Sequence, residues 1–349
     1  VQHRGATEDR TGIPSTMPLP GRRAMLAASL ALPARGARAQ APYPERPILL
    51  VAPFAAGGAA DIAARMLAAH APRIMAQRLG KPAEPPIIVE NRPGASGAVG
   101  TLHVQRARPD GHTLLLARVG SAAIVPALEA RPPYAWDEFT MLGLLDENPY
   151  VVCVRADAPW RSLAELIAAL REAPGRLNFA TSGPQTILDL GMRHMMVSVG
   201  LPHDAAVAIP FRGGAEALTA LLGGQAQFVG NNLGDMAGAI AGGQVRVLAV
   251  SGAARLPGLP DVPTAAEAGV PAIAAMAGWN ALFGPPGLPA PVVAAWTATL
   301  AGMAADPAWN EATRRIGSVP RILGPAETRA HVAAQVALFR DLGQRLGLV

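Results

Sequence analysis

Short apolar runs alternate along this chain with longer stretches in which apolar positions return every three or four residues. The first run, Ile48–Ala52, is apolar throughout and suits a strand buried on both faces. Pro53 ends it, having no N–H for a ladder. Gly57-Gly58 permit a tight turn, and Ile62, Met66 and Leu67 mark a helix face just beyond. Further strands are predicted at 87–89, 113–117, 139–145, 151–154, 177–180, 207–209, 227–230, 245–250 and 281–283. Helices are predicted between them, the first running towards Leu79 with a kink or break expected at Pro72. Three more close the chain at 290–304, 307–316 and 325–342. Ser162-Leu-Ala-Glu165 and Thr264-Ala-Ala-Glu267 read as capping boxes opening helices.

Strand and helix in alternation imply right-handed βαβ units and a parallel sheet. The pattern restarts near residue 149, so two α/β units are expected, the C-terminal helices packing back on the first. The boundaries fall near 148 and 265, giving 40–148 with 265–349 as domain 1 and 149–264 as domain 2. No internal repeat is visible in the sequence.

The 349 residues are 50% hydrophobic and 16% charged, enough for a large core, and the formal charge is +5. Six arginines and two acids within residues 1–39 account for +4 of that charge. The remainder is close to neutral, so no nucleic-acid partner is implied. Arg22-Arg23, the apolar stretch 24–32 and Ala37-Arg38-Ala39 read as an export signal, with cleavage expected after Ala39 and a periplasmic destination. Cys153 is the lone cysteine and sits in an apolar run, so it reads as a buried thiol. No metal site or cofactor is implied.

Ligands of open α/β sheets bind beyond the carboxyl ends of strands, which selects the loops 53–61, 118–121, 181–186 and 230–232. Loops 53–61 and 181–186 lead into helix N-termini, where free amides and the helix dipole favour an anion. The first loop lacks the Lys-Ser/Thr of a phosphate loop and the spacing of a dinucleotide site, and a bare turn with no ligand fits it equally well. Thr181, Ser182 and Thr186 add hydroxyls, and Asp61 reads as a helix N-cap. Arg118 stands at a strand end, where it would either fork onto a ligand carboxylate or form a surface ion pair. His194 and His203 have no acid or nucleophile at a diagnostic spacing. With no nucleophile elbow, zinc-helix motif or cysteine pair, an α/β hydrolase or transferase is the less favoured reading.

Tyr43-Pro44 to Pro47, Val51-Ala-Pro-Phe-Ala-Ala-Gly-Gly58 with Asp61, Val89-Glu-Asn-Arg-Pro-Gly94 and Pro109-Asp-Gly-His-Thr-Leu-Leu-Leu116 form an ordered series. Ile209-Pro-Phe-Arg-Gly-Gly-Ala215, Leu221-Leu-Gly-Gly-Gln225, Leu259-Pro-Asp-Val-Pro-Thr264 and Trp279 with 285–291 continue it. Together they resemble the Bug receptors, the periplasmic substrate-binding proteins of tripartite tricarboxylate transporters. The resemblance implies a two-domain, type II periplasmic-binding-protein (Venus flytrap) fold with a Rossmann-like, mostly parallel sheet in each domain. It also implies a non-enzymatic, monomeric receptor that closes on a small organic carboxylate and hands it to a membrane permease. A ligand sensor for signalling is the alternative among binding proteins.

Carried over residue by residue, the expected ligand set is Phe54, Ala55, Ala56, Gly57, Gly58, Asp61, Arg118, Ser121, Thr181, Ser182, Gly183, Thr186 and Asn231. Three departures from the family pattern stand out. No His follows the second loop, Asn231-Asn232 replaces an Asp-Asn pair, and Arg118 replaces a small residue. They predict a more positive pocket and a ligand with a second anionic group and no ammonium.

Overall fold

The computed structural model describes residues 43–349; the export segment and its cleavage site lie outside the described residues. The first lobe opens with β1 (Ile48–Ala52), α1 (Ala59–Leu79), β2 (Ile87–Asn91), α2 (Ala98–Gln105), β3 (Thr113–Arg118) and α3 (Val125–Leu128). Then β4 (Thr140–Arg155) leads to α4 (Leu163–Glu172), β5 (Asn178–Thr181), α5 (Ile187–Ser198), β6 (Val207–Pro210), α6 (Gly214–Leu222), β7 (Phe228–Asn232), α7 (Leu233–Ala241) and β8 (Val245–Val250). The chain returns through β9 (Ala277–Gly284), α8 (Ala290–Ala304), α9 (Pro307–Arg315), β10 (Val319–Leu323) and α10 (Pro325–Arg345).

The two predicted strands at 139–145 and 151–154 are one. β4 runs unbroken for 16 residues and belongs to both lobes. Its partners change at Pro149: β9 pairs up to Pro149 opposite Ala277, and β7 takes over at Tyr150 opposite Asn232. A residue with no N–H thus sits where the ladder changes hands. The strands form one sheet in the order β2-β1-β3-β9-β4-β7-β5-β6, with β8 and β10 also paired to β4. The expected parallel sheets are found only in the outer parts. β1, β2 and β3 are parallel, as are β5, β6 and β7, but β9 and β4 run antiparallel to their neighbours.

The break expected at Pro72 does not occur, and α1 continues through it to Leu79. A proline inside a helix costs roughly 3 kcal/mol. Burying Leu67, Ile74 and Met75, in a helix packed on α8, returns roughly 1.5–3 kcal/mol each. The reciprocal bonds of the Thr264–Glu267 box are both made, yet no helix follows; the box closes an isolated turn.

This topology builds a crevice. β3 is antiparallel to β9 and β9 to β4, so β3 runs with β4, whereas β7 runs against it. The C-terminal ends of β3 and β7 therefore approach the same stretch of β4 from opposite directions. Arg118 is level with Asn280 and hence with Asp146, while Asn232 is level with Tyr150. Four strand residues separate the two levels, ~13 Å along the strand. The loops after β1 and β3 thus face those after β5 and β7.

Candidate functional site

The first loop packs on bare backbone. The Phe54 ring lies over Gly97 and Gly120; a Cβ at Gly97 would come within 3.0 Å of its Cζ. Asn91 Nδ2 donates to the Phe54 carbonyl at 3.1 Å, fixing the loop to β2. The amides of Phe54, Ala55 and Ala56 donate to no other described residue. The two glycine amides are engaged: Gly57 N–H donates to Asp61 Oδ2 (2.9 Å), and Gly58 N–H makes a long contact to the Ala55 carbonyl (3.4 Å).

Asp61 is not the N-cap; Gly58 is, and Asp61 stands three residues into the helix. Its carboxylate accepts from Gly57 N–H and from Arg65 Nε (3.0 Å), which together with the Arg65 charge hold it below the usual carboxylate range. The second loop repeats the device. Gln185 N–H donates to Asp189 Oδ2 (3.0 Å), and Arg193 Nε donates to Asp189 Oδ1 (2.8 Å). Gly57, Asp61 and Arg65 have the same spacing as Gln185, Asp189 and Arg193. Gly57 and Gln185 share a positive φ, of 79° and 57°. The chain therefore holds an internal structural repeat that its bulk sequence conceals.

In the second loop the hydroxyls bond to one another. Thr186 Oγ1 donates to the Gly183 carbonyl (2.8 Å), Thr181 Oγ1 donates to the same carbonyl (3.0 Å), and Ser182 Oγ donates to Thr186 Oγ1 (3.0 Å). They shape the loop, leaving the amides of Ser182, Gly183 and Thr186 without acceptors among the described residues. Ser121 is fully buried and its hydroxyl donates to the Arg118 carbonyl (3.4 Å). Asn231 is also buried; its amide donates to the Gly214 carbonyl (2.9 Å) and its oxygen accepts from Asn232 N–H (2.8 Å). Neither side chain is available to a ligand in this arrangement.

Arg118 is 8% exposed and makes no hydrogen bond or ion pair with another described residue. The surface ion pair considered for it is ruled out. Burial pulls its guanidinium below its ordinary value, opposed by the charges of Asp235 and Asp146. Arg118, Asn280 and Asp146 form one row across β3, β9 and β4. Asn280 Nδ2 donates to both Asp146 oxygens, at 2.9 and 3.1 Å. Desolvation nevertheless pushes the Asp146 carboxyl up to about 6, with Asn280 and Arg118 opposing. Asp235 reaches the same place from the first turn of α7. Burial raises its carboxyl too, opposed by Arg118 and the Asn232 side chain.

Two carboxylates therefore oppose Arg118, which the expectation of a more positive pocket leaves out. Asp235 follows Asn231 by four residues, and Asp146 lies in the Arg118 row. Neither residue carries a sequence signal that singles it out: the register of β3, β9 and β4 brings Asp146 level with Arg118, and α7, following β7, brings Asp235.

A raised carboxyl loses stability as pH climbs from its unfolded value, near 4, through its folded value. Asp146→Asn should therefore raise the melting temperature of the empty receptor increasingly between about pH 4 and about pH 6, then level off. Thermal melts across pH 4–8 check this; a gain independent of pH would assign the effect to packing.

Two α/β lobes on a shared strand, with amide-lined loops facing across a crevice, define a two-lobed solute-binding receptor of the periplasmic-binding-protein class. Residues 67–348 match the tripartite tricarboxylate transporter family receptor, and the chain belongs to that family. Its members are periplasmic substrate-binding receptors. BugT of Bordetella pertussis is 31% identical over 314 residues, covering 87% of this chain and 91% of BugT. A Rhodopseudomonas palustris protein solved with adipate superposes with a TM-score of 0.77 at 28% identity, over 87% of this chain and 98% of that one. MatC of the same species, with bound malate, gives 0.73 at 29% identity, over 86% and 99%.

Proposed function

We propose that this receptor captures a small organic dicarboxylate in the crevice and presents it to the permease of a tripartite tricarboxylate transporter. One carboxylate is held by main-chain amides at Phe54, Ala55 and Ala56 on one side and Ser182, Gly183 and Thr186 on the other. The second lies against Arg118. Asp61 and Asp189 act through the loops, holding each in shape. The observation that carries the reading is a buried Arg118 guanidinium, unbonded among the described residues, at a strand end of the crevice whose two loops hold free amides. A guanidinium with five N–H donors and no hydrogen-bond acceptor among the described residues calls for an anion. The adipate and malate of the two R. palustris proteins are both dicarboxylates.

The closing bodies are 43–148 with the returning chain, and 149 onward through the second lobe. The segment after β8 stays with the second lobe, since Ala265 N–H bonds to the Val250 carbonyl and residues 271–275 pack on α5. The return crossing is therefore assigned to the start of β9 rather than to residue 265. Closure would bring the two amide sets onto one carboxylate. The receptor acts as a monomer, after export and cleavage beyond Ala39.

A thermal-shift screen with mono-, di- and tricarboxylates tests this. Dicarboxylates are expected to stabilise the receptor by several degrees at millimolar concentration, more than the matching monocarboxylates. Equal stabilisation by monocarboxylates of the same length would remove the role given to Arg118.

A further inference from the structure

The distal end of the crevice has more acceptors than a second carboxylate should meet. Asp146 is level with Arg118, and Asp235 faces it from the opposite lobe. The Asp235 carboxylate lies over the bare backbone of Gly214, where a Cβ would come within 2.2 Å of Oδ2. Asn232 Oδ1 is buried nearby with no donor. One guanidinium thus stands in the field of two carboxylates, bonded to neither, before any ligand arrives. A ligand carboxylate on Arg118 becomes a third anion in a largely buried site, and close like charges there resist ionising together.

Resting on the dicarboxylate reading above, we infer that Asp235 is a specificity-determining residue that takes one proton from solvent as the ligand's second carboxyl docks, the two carboxyl groups then sharing that proton beside Arg118. The balance is dianionic ligand plus ionised Asp235 plus one proton, giving a carboxyl–carboxylate pair joined by an O–H···O bond. Asp146 is the less suitable acceptor of the proton. It is fully buried and both its oxygens already accept from Asn280. Asp235 has no such clamp.

The other charged side chains on the elements packed against α7 are committed elsewhere. On α6, Glu216 accepts from Arg212 N–H; on β8, Arg246 donates to the carbonyls of Ala156, Ala158 and Trp160; on β4, Glu147 pairs with Arg321 and Arg155 with Asp157. Arg118 and the Asn232 amide are the side chains that act on Asp235. Burial already favours its neutral form, and a docked carboxylate favours it further. Between the values of the Asp235 carboxyl in the empty and the liganded receptor, dicarboxylate Kd should weaken by up to tenfold per pH unit. Above the upper value it should level off.

Isothermal titration of succinate, malate and adipate, each against its monomethyl ester, tests the inference from pH 5.5 to 8.5 in phosphate, imidazole and Tris. The binding heat of the diacids should vary with buffer ionisation heat with a slope near one proton taken up, and that of the monoesters should not. Asp235→Asn should remove the slope and the pH dependence while keeping the preference for diacids. A diacid preference with no proton uptake in the wild-type receptor overturns the inference and leaves the dicarboxylate reading standing. A slope that persists in Asp235→Asn places the proton elsewhere and also overturns it. Should the variant not fold, infrared difference spectra of the wild-type receptor must show a new protonated carboxyl band on diacid binding; its absence overturns the inference. If no diacid outbinds its half-ester at any pH, the dicarboxylate reading itself fails.

Discussion

Arg118→Ala is expected to weaken dicarboxylate binding by roughly 30- to 1,000-fold while changing monocarboxylate binding little. Removing one partner of a desolvated, hydrogen-bonded charge pair costs about 2–5 kcal/mol, and each 1.4 kcal/mol is tenfold in Kd. The lower part of that range applies, because Asp146 and Asp235 already offset part of the guanidinium's charge. Monocarboxylates are held at the amide end and should lose little. Arg118→Lys keeps the charge but not the planar fork, and should recover only part of the loss. Titration calorimetry with adipate and monomethyl adipate reads both arms. A parallel loss for diacid and monoester would mean that Arg118 supports the fold of the crevice rather than the ligand.

Much of this architecture was legible in the chain. The strand–glycine–helix sequence at 48–62 follows from an apolar run, a proline that stops a ladder and two glycines, all local signals. Helix α8 has the bounds expected from its periodicity, and α9 and α10 differ from theirs by a few residues at one end. What failed was tertiary. Pro72 is tolerated because α8 covers the helix that contains it. β4 crosses residue 148 because β7 and β8 take it up where β9 leaves it, and neither partner is local.

The crevice was legible in the same uneven way. The loops could be located at strand ends, but not which of their amides remain free, since that depends on where Asp61 and Asp189 point. A signal for this did exist: in each loop an Asp lies four residues beyond a turn residue and an Arg four beyond the Asp. Asp235 and Asp146 left no such mark. Their chemistry follows from the register that places Asp146 and from where α7 starts after β7, and one sequence carries no record of which elements adjoin.

The largest loss of stability is expected from Gly230→Ala, at the heart of the second lobe. Tyr150 leaves β4 at the changeover and its ring fills a slot between two glycines, Gly230 on β7 and Gly191 on α5. A Cβ at Gly230 would lie 1.9 Å from the Tyr150 hydroxyl oxygen, 2.4 Å from Cζ and 2.6 Å from Met192 Cε. None of these can step aside cheaply. Tyr150 and Met192 are fully buried, and the Tyr150 hydroxyl donates to the Leu188 carbonyl at 3.1 Å in the first turn of α5. Overpacking a tight core costs typically 1–3 kcal/mol, and the severed hydrogen bond adds about 1 kcal/mol more. The sum of about 2–4 kcal/mol is a large share of the margin of an ordinary domain. Urea unfolding should show it as a lower midpoint with an unchanged slope. Tyr150→Phe removes the closest atom, so the double variant should be less destabilised than the two single losses added together. Simple additivity would show that the slot relaxes without the ring. Because the ring also carries the first turn of α5, Gly230→Ala should disturb the second amide loop as well, and ligand should restore less of the lost stability than it does for a surface variant of equal cost.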